Sequence, residues 1–176
     1  MSKEFLRSQL LRKLSALSQN EIQGFSFSLT NQIIKFFKSK PELQSQIGAG
    51  FLPLKAEIAP VYQELLKGVP LTIAYPILKG ELMSFAIPDG LPRGGIWLQE
   101  PFKEVTPDWL FIPGLGFDLK GARLGRGKGF YDRLLADVRG SKCGVAFDEQ
   151  LVATVPVGPR DIPLNCILTP TRWIET

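Results

Sequence analysis

The chain has 176 residues, of which 44% are hydrophobic and 22% are charged, and 21 basic against 17 acidic residues give a net charge of +4. This length and composition predict one compact domain over residues 1–176 and exclude a disordered or low-complexity chain. Histidine is absent from the sequence, which excludes catalytic triads and proton shuttles that depend on imidazole.

Two amphipathic helices are predicted before Pro41, which ends the second of them. The first helix carries leucines at helical spacing, and these are Leu6, Leu10, Leu14 and Leu17. Lys3 and Arg7 lie one turn apart on a neighbouring face of the same helix. Ser18 and Glu21 have the spacing of a capping box at the start of the second helix. Its apolar face consists of Ile22, Phe25, Leu29, Ile33 and Phe36. We expect the two helices to form a hairpin.

Short apolar runs follow, separated by glycine, proline and charged turns, and they predict the strands of a mainly buried sheet. The runs are QIGAGFLPL, LTIAYPIL, ELMSFAIP, WLFIPGLGF, KCGVAF and NCILTP. EIAPVYQELLKG follows the first run and GKGFYDRLLADVR follows the fourth, and each is long enough for a helix that crosses over to a parallel strand. Residues 88–107 predict a loop with one short strand. The expected fold is α/β, an open and mainly parallel sheet with flanking helices after an N-terminal helical hairpin.

The cysteines and the hydropathy pattern indicate the cellular setting. Cys143 and Cys166 lie in apolar runs without nearby metal ligands, so we expect reduced, structural thiols. No apolar run approaches the roughly 18 residues that span a bilayer. Charged residues also interrupt the apolar stretch of MSKEFLRSQLLRK, which is unlike a signal peptide. We therefore expect a cytoplasmic protein without membrane contact.

The most informative segment is WLFIPGLGFDLKGARLGRGKGFYDRLL, residues 109–135, which predicts a strand, a glycine-rich basic loop and a helix. Between residues 118 and 133, five basic and two acidic residues contribute +3 of the net charge of +4. Backbone N–H groups around Gly125, Gly127 and Gly129, next to a helix N-terminus, are typical of an anion site. Arg126 and Lys128 add positive charge. The segment therefore predicts a phosphate site, with a flexible basic surface turn as the alternative.

This loop differs from two common phosphate-binding motifs. Arg123 occupies the position where a P-loop requires its first glycine, and Gly129 stands where serine or threonine would bind magnesium. Phe130 stands in place of the third glycine of a dinucleotide-binding fingerprint. The sequence therefore predicts a phosphate site of another type.

The segment PGLGFDLKGARLGRGKGFYDR resembles the signature of the 5-formyltetrahydrofolate cyclo-ligase family, also called methenyltetrahydrofolate synthetases. Three other segments resemble the family in the same order along the chain. Lys3, Leu6 and Arg7 resemble its KxxLR element, and FLPLKAEI at 51–58 and GVAFDEQLVATVPVGPRD at 144–161 resemble two later segments. The resemblance implies conversion of 5-formyltetrahydrofolate to 5,10-methenyltetrahydrofolate with ATP and Mg²⁺, giving ADP and phosphate. It also implies an open α/β fold like that of sugar-phosphate isomerases and CoA transferases.

The resemblance further implies roles for individual residues. The catalytic residues would be Arg126 and Lys128. ATP would be bound by Lys3, Arg7, Arg123, Leu124, Gly125, Arg126, Gly127, Lys128, Gly129, Phe130 and Tyr131. The folate would be bound by Leu54, Glu57, Arg126, Gly127, Lys128, Gly129 and Phe130. Magnesium would be bound by Asp132 and Asp161. We expect a monomer with no nucleic-acid partner.

Several of these residues also have simple structural interpretations. Glu57 and Asp132 are predicted at the starts of helices, where a carboxylate favours the helix dipole, and Asp132 adjoins Arg133 as a salt-bridge partner. Asp161 precedes an Ile-Pro turn that it would cap. The basic pair on the first helix has the pattern of a solvated helix face.

The sequence departs from the family pattern at three places. Ala59 and Pro60 stand where several members carry an acid followed by threonine. Phe130 replaces the first tyrosine of YYD, and Arg160 stands where many members have histidine. An apolar slot for a flat ring is expected from Leu54, Phe85, Trp97 and Phe130. Two alternatives stay open: a relative that uses ATP on another formyl or carboxyl substrate, and a non-catalytic nucleotide-, folate- or RNA-binding module.

Overall fold

Four α-helices and ten strands are described by the computed structural model, which covers residues 2–80, 82–90, 92, 102–159 and 161–176. The helices are α1 (Lys3–Ser15), α2 (Gln19–Ser39), α3 (Tyr62–Gly68) and α4 (Phe130–Asp137). The strands are β1 (Ile47–Ala49), β2 (Thr72–Lys79), β3 (Leu82–Pro88), β4 (Phe102–Val105), β5 (Trp109–Pro113), β6 (Gly116–Phe117), β7 (Arg123–Leu124), β8 (Ser141–Val145), β9 (Cys166–Leu168) and β10 (Trp173–Glu175). Short 3-10 helices lie at Pro41–Ser45 and Asp148–Gln150.

An eight-stranded sheet organises the chain, in the order β10-β9-β8-β5-β1-β2-β3-β4. The five strands from β9 to β2 are parallel to one another, and β3, β4 and β10 are antiparallel at the two edges. α3 connects β1 to its parallel neighbour β2, and α4 lies on the connection from β5 to its parallel neighbour β8. Both predicted crossovers are confirmed, and so is the prediction of a mainly parallel α/β sheet.

Both faces of the central strands are buried, as in other parallel sheets covered by helices. On β5, Trp109 and Phe111 belong to the cluster that contains the leucines of α1 and the apolar face of α2. Leu110 and Ile112 point to the opposite face, in a cluster that includes Leu135 of α4. Side chains alternate between the faces along a strand, so a fully apolar run such as WLFI is what two buried faces require.

The second N-terminal helix begins with the capping box that the sequence predicts. Ser18 caps α2, its hydroxyl accepts from the Glu21 N–H, and the Glu21 carboxylate accepts from the Ser18 N–H at 2.8 Å. α1 packs close to β6, where Leu10 fills the space beside Gly116. α2 contacts α3, and Thr30 Oγ1 accepts a 2.8 Å hydrogen bond from the Val61 N–H directly before that helix. The two helices thus contact different elements, α1 the ribbon and α2 the crossover helix α3.

Three short strands are not predicted from the sequence. The run WLFIPGLGF contains both β5 and β6, which Gly114 and Leu115 separate. β6 pairs with β7 as a two-stranded antiparallel ribbon, and β10 pairs with β9. Strands of two or three residues are too short to show a hydrophobic alternation, so only tertiary pairing reveals them.

The free thiols of Cys143 and Cys166 lie on neighbouring strands, at paired positions of β8 and β9. A hydrogen bond with Cys166 and burial both raise the pKa of the Cys143 thiol. This thiol therefore stays protonated, in agreement with a structural role. No helix among the described residues is long and apolar enough to cross a membrane.

Gly24 offers a simple stability test. It lies in the middle of α2, is exposed, and has no atom within 4 Å of the place where a Cβ would lie. We expect Gly24→Ala to raise the free energy of unfolding by about 0.5–1 kcal/mol, because glycine loses more backbone entropy in a helix than alanine does. Thermal denaturation measures this effect. Gly144→Ala is the control, since a Cβ there would lie 2.7 Å from the Phe117 ring, and it is expected to destabilise the protein. An unchanged melting temperature for Gly24→Ala would contradict the prediction.

Candidate active site

A pocket of about 380 Å³ opens at the carboxyl ends of β1 and β5. These two strands are neighbours, but their crossovers run in opposite directions, since β1 leads to β2 and β5 leads to β8. A crevice of this kind, at the point where connections diverge, is where open α/β sheets bind ligands. The topology therefore positions the pocket before any side chain is considered.

The pocket has two walls of different chemistry. An apolar wall follows β1 and includes parts of β2 and β3: Phe51, Leu52, Leu54, Pro76, Leu78 and Met83. The opposite wall is the glycine-rich basic loop with the first turn of α4: Arg123, Gly125, Arg126, Gly127, Lys128, Gly129, Phe130, Tyr131 and Asp132. Glu57 also lines the pocket. An apolar surface therefore faces a basic one across a single cavity.

The loop before α4 depends on two glycines with a positive φ. Gly127 has a φ of +98° and Gly129, directly before the helix, has a φ of +68°. L-residues with side chains rarely adopt such angles, so these positions favour glycine. The Arg7 side chain reaches this loop from α1, and its Nε donates to the Gly125 carbonyl at 3.0 Å. The loop is thus positioned between two helices with its basic side chains at the pocket.

The two cations of the loop have different environments. Arg126 Nε donates to Glu57 Oε1 at 2.8 Å, so this arginine bridges the two walls. The Glu57 side chain is only 10% exposed, and its Oε2 accepts from the Leu54 N–H at 2.9 Å. Lys128 lines the pocket, is exposed, and has no hydrogen bond or ion pair with another described residue. Of the two cations, Lys128 is the one available to a bound anion.

The position of Glu57 corrects the sequence prediction. It does not open the helix after β1, because α3 begins only at Tyr62. Pro60 follows Ala59, and a proline disfavours helical geometry at the residue before it. Glu57 instead closes a turn, in which its N–H donates to the Leu54 carbonyl at 3.0 Å. Its carboxylate is therefore a pocket group and not a helix-dipole partner.

Each of the two aspartates predicted as metal ligands has a cationic partner. Asp132 Oδ1 lies 2.5 Å from the Arg123 guanidinium, which also donates to the Pro113 carbonyl at 3.3 Å. Asp132 thus forms an ion pair with Arg123, which the sequence does not predict. Arg133 lies over the Phe130 ring, with 5.4 Å between its Cζ and the ring centroid.

Asp161, at the end of the segment 144–161, is bonded to Lys3 of α1. Its Oδ2 accepts from Lys3 Nζ at 2.6 Å and from the Gly158 N–H at 2.6 Å. Partial burial raises the pKa of Asp161, but these two hydrogen bonds and the charges of Lys3 and Arg123 outweigh it, so the pKa lies below its ordinary value. The carboxylate is therefore ionised, and Lys3 on α1 is an ion-pair partner and not a solvated charge.

Some predicted residues lie outside the pocket lining. Leu124 is buried in β7, and Lys3, Arg7 and Asp161 are not in the lining. Arg7 contacts it through the Gly125 carbonyl, whereas Lys3 and Asp161 are bonded to each other. Phe85 is a buried core residue of β3 and does not contribute to the apolar wall. Trp97 and Arg160 lie outside the described residues. The apolar slot that the sequence predicts is thus formed mainly by other residues, from β1 to β3.

Two buried polar side chains support the site without a local signal in the sequence. Gln150 accepts from the Phe147 N–H at 2.7 Å and donates to the carbonyls of Gly114 and Leu115 at 2.7 and 3.1 Å. Asp118 accepts from three backbone N–H groups, of Lys120, Ala122 and Val155. Both side chains hold the ribbon from which the glycine-rich loop begins. The bonds to Gly114, Leu115 and Val155 join segments that are distant in the chain, so only the fold identifies them.

Asp148 and Asp161 lead to a prediction on acid stability. Burial raises the pKa of Asp148, but hydrogen bonds from Thr171, Thr169 and Arg172 outweigh it and lower that pKa. Both carboxylates thus have a folded-state pKa below the unfolded value of 3.8. The ionised carboxylates therefore stabilise the folded state at pH values above 3.8. This contribution is lost as pH falls through the folded-state pKa, because the unfolded chain binds more protons than the folded chain in that range.

We therefore expect the free energy of unfolding to decline as pH falls below about 4, with a smaller decline for Asp148→Asn, which cannot be protonated. Denaturant unfolding between pH 5 and about 2 measures both slopes. The same slope in the variant and the parent would show that Asp148 contributes nothing to acid stability.

Comparison with known proteins gives one consistent result. The model of the 5-formyltetrahydrofolate cyclo-ligase family matches residues 1–170. A 5-formyltetrahydrofolate cyclo-ligase from Mus musculus is 30% identical over an alignment of 190 residues, gaps included. The alignment covers 95% of this chain and 93% of that protein. A solved 5,10-methenyltetrahydrofolate synthetase from Mycoplasma pneumoniae aligns with a TM-score of 0.80 at 27% identity, covering 97% of this chain and 99% of that chain. The NMR structure of the Aquifex aeolicus synthetase has a TM-score of 0.78 at 33% identity, with 99% and 93% coverage.

Proposed function

This chain belongs to the 5-formyltetrahydrofolate cyclo-ligase family, and from that premise we propose that it converts 5-formyltetrahydrofolate to 5,10-methenyltetrahydrofolate with hydrolysis of ATP to ADP and phosphate. The observation that carries the proposal is the pocket with one apolar and one basic, glycine-rich wall. A flat pterin packs on the apolar wall, and phosphates lie on the loop, where N–H groups and cations favour negative charge. One cavity thus brings the two substrates together.

The reaction requires activation of a poor leaving group. The formyl oxygen on N5 is amide-like, so transfer of the γ-phosphoryl group to it gives an iminophosphate and ADP. The folate N10 then attacks the formyl carbon and releases its proton to water, and phosphate leaves with the former formyl oxygen. No protein nucleophile and no imidazole takes part, in agreement with a chain that contains no histidine. Catalysis consists of alignment and of positive charge around the transferred phosphoryl group.

We assign this charge mainly to Lys128, which lines the pocket without an ion-pair partner among the described residues. Arg126 is the second proposed catalytic cation, and its ion pair with Glu57 joins the folate side to the nucleotide side. Lys3 and Arg7 are proposed to contact ATP from α1, because their side chains already reach Asp161 and the Gly125 carbonyl. The nucleotide site thus combines the glycine-rich loop with one helix.

Asp132 and Asp161 are the proposed magnesium ligands. In each carboxylate, one oxygen accepts from a cation, Arg123 for Asp132 and Lys3 for Asp161. The other oxygen has no hydrogen bond to a described residue. Magnesium prefers oxygen ligands and uses one or two carboxylates together with phosphate oxygens and water. When bound there, magnesium would neutralise negative charge on the ATP phosphates.

We also propose that the chain is a single-domain enzyme, in agreement with its length of 176 residues. We propose that it acts as a monomer in the cytoplasm, without a nucleic-acid partner.

The activity is tested by following the absorbance of 5,10-methenyltetrahydrofolate when purified protein is mixed with 5-formyltetrahydrofolate, Mg²⁺ and ATP. We expect a rise that requires ATP and produces ADP in equal amount. The control omits ATP. No rise from a folded protein that binds ATP would overturn the substrate assignment and favour another formyl or carboxyl substrate.

A further inference from the structure

The apolar wall of the pocket begins at a backbone N–H group that is hydrogen-bonded to a tyrosine hydroxyl. After β1 the chain leaves the sheet at Gly50, whose N–H donates to the Ala74 carbonyl at 2.8 Å. The next residue, Phe51, is 2% exposed and lines the pocket. Its backbone N–H donates to the hydroxyl oxygen of Tyr62 at 2.9 Å. A buried N–H without an acceptor is strongly unfavourable, so this bond determines how the wall departs from the sheet.

The packing around Tyr62 leaves little freedom for its hydroxyl. A Cβ at Gly50 would lie 2.5 Å from this oxygen, so the backbone passes directly beneath it. The Tyr62 ring also packs edge-on against Tyr75, with 5.1 Å between the ring centroids. The hydroxyl is therefore confined between the end of β1 and a second aromatic ring.

The glycine-rich loop has anchors of its own. Arg7 Nε donates to the Gly125 carbonyl at 3.0 Å, and the Leu115 N–H donates to the Leu124 carbonyl at 2.7 Å where the loop begins. The loop is also joined to the apolar wall, because Arg126 pairs with Glu57, whose Oε2 accepts from the Leu54 N–H at 2.9 Å.

We propose that Tyr62 is a positioning residue for folate: its hydroxyl sets the position of residues 50–54, the part of the wall on which the folate ring packs. This inference rests on the proposed function for its substrate. The loop that binds phosphate has further anchors at Gly125 and in the ribbon, and it contacts this wall through the Arg126–Glu57 pair. Loss of the hydroxyl is therefore expected to act more strongly on folate than on ATP.

The chain offers a matched pair of variants. Tyr62→Phe removes a hydroxyl that accepts a hydrogen bond, whereas Tyr75→Phe removes a buried hydroxyl that has no hydrogen-bond partner in the described ranges. The two rings are in contact, and the chemical change is the same. Any effect of Tyr62→Phe that Tyr75→Phe lacks is therefore due to the bond with the Phe51 N–H.

Two measurements decide the inference. We expect Tyr62→Phe to raise KM for 5-formyltetrahydrofolate about tenfold, with a clearly smaller change in KM for ATP, since a lost hydrogen bond corresponds to roughly that factor. We also expect faster amide hydrogen exchange in residues 50–54, while Tyr75→Phe matches the parent in both measurements. Equal rises in both KM values, or identical behaviour of the two variants, would overturn the inference. A parent protein without turnover would overturn the proposed function instead, and the exchange rates would still show whether Tyr62 holds this wall.

Discussion

Lys128→Ala is expected to lower kcat at least about a hundredfold and to leave the melting temperature unchanged. The proposed role of Lys128 is to balance the charge that develops on the transferred phosphoryl group, and loss of one such donor costs about 3 kcal/mol in the transition state. The side chain is exposed and makes no hydrogen bond or ion pair with a described residue, so the fold does not depend on it. Steady-state formation of methenyltetrahydrofolate and thermal denaturation measure the two quantities.

Lys120→Ala is the matched control. Lys120 lies in the same basic segment, is equally exposed, and does not line the pocket. Both variants lower the net charge by one, so a general electrostatic effect on the anionic substrates appears in both of them. Near-normal kcat for Lys128→Ala would show that this lysine is not the phosphate clamp. Equal losses in both variants would attribute the effect to net charge.

The parts of the fold that the sequence predicts are those with a repeated burial pattern. α1 and α2 each bury one face, so Leu10 and Leu29 belong to series at helical spacing that are visible without a structure. The crossover helices are predicted because a parallel sheet requires long connections between neighbouring strands. β6 and β7 have two residues each, which is too few for any period. Their pairing depends on Gln150 and Asp118, which no local pattern indicates.

The candidate site shows the same division. The loop from Gly125 to Asp132 is contiguous, so its glycines, cations and helix N-terminus can be predicted together. The ion pairs that complete the site join distant segments, since 69 residues separate Glu57 from Arg126 and 158 separate Lys3 from Asp161. Such pairs arise from the sheet order and not from spacing. The resemblance to a family indicates that these four residues belong to the site. Only the fold shows which of them form ion pairs with each other.

Arg123→Met is expected to abolish turnover and to lower the free energy of unfolding by about 2 kcal/mol. The Arg123 side chain is 7% exposed and is bonded to both Asp132 and the Pro113 carbonyl. Removing it leaves both acceptors without their donor, and an uncompensated charge in a buried pair costs about 3–5 kcal/mol. Asp132 is 38% exposed, so water solvates part of its charge and the expected cost is lower. Methionine retains the apolar stem, which limits the loss of packing.

The double variant Arg123→Met/Asp132→Asn separates the structural effect from the catalytic one. Removing the unpaired carboxylate is expected to restore about 1 kcal/mol of stability, because the remaining amide carries no charge. Turnover is expected to stay lost, since Asp132 is a proposed magnesium ligand and Arg123 is a proposed ATP-binding residue. Denaturant unfolding and single-turnover kinetics of the parent protein, Arg123→Met and the double variant give the comparison. If the double variant regained both turnover and stability, Arg123 would act through the fold alone. Regained stability without turnover would assign Arg123 and Asp132 to the chemistry of the site.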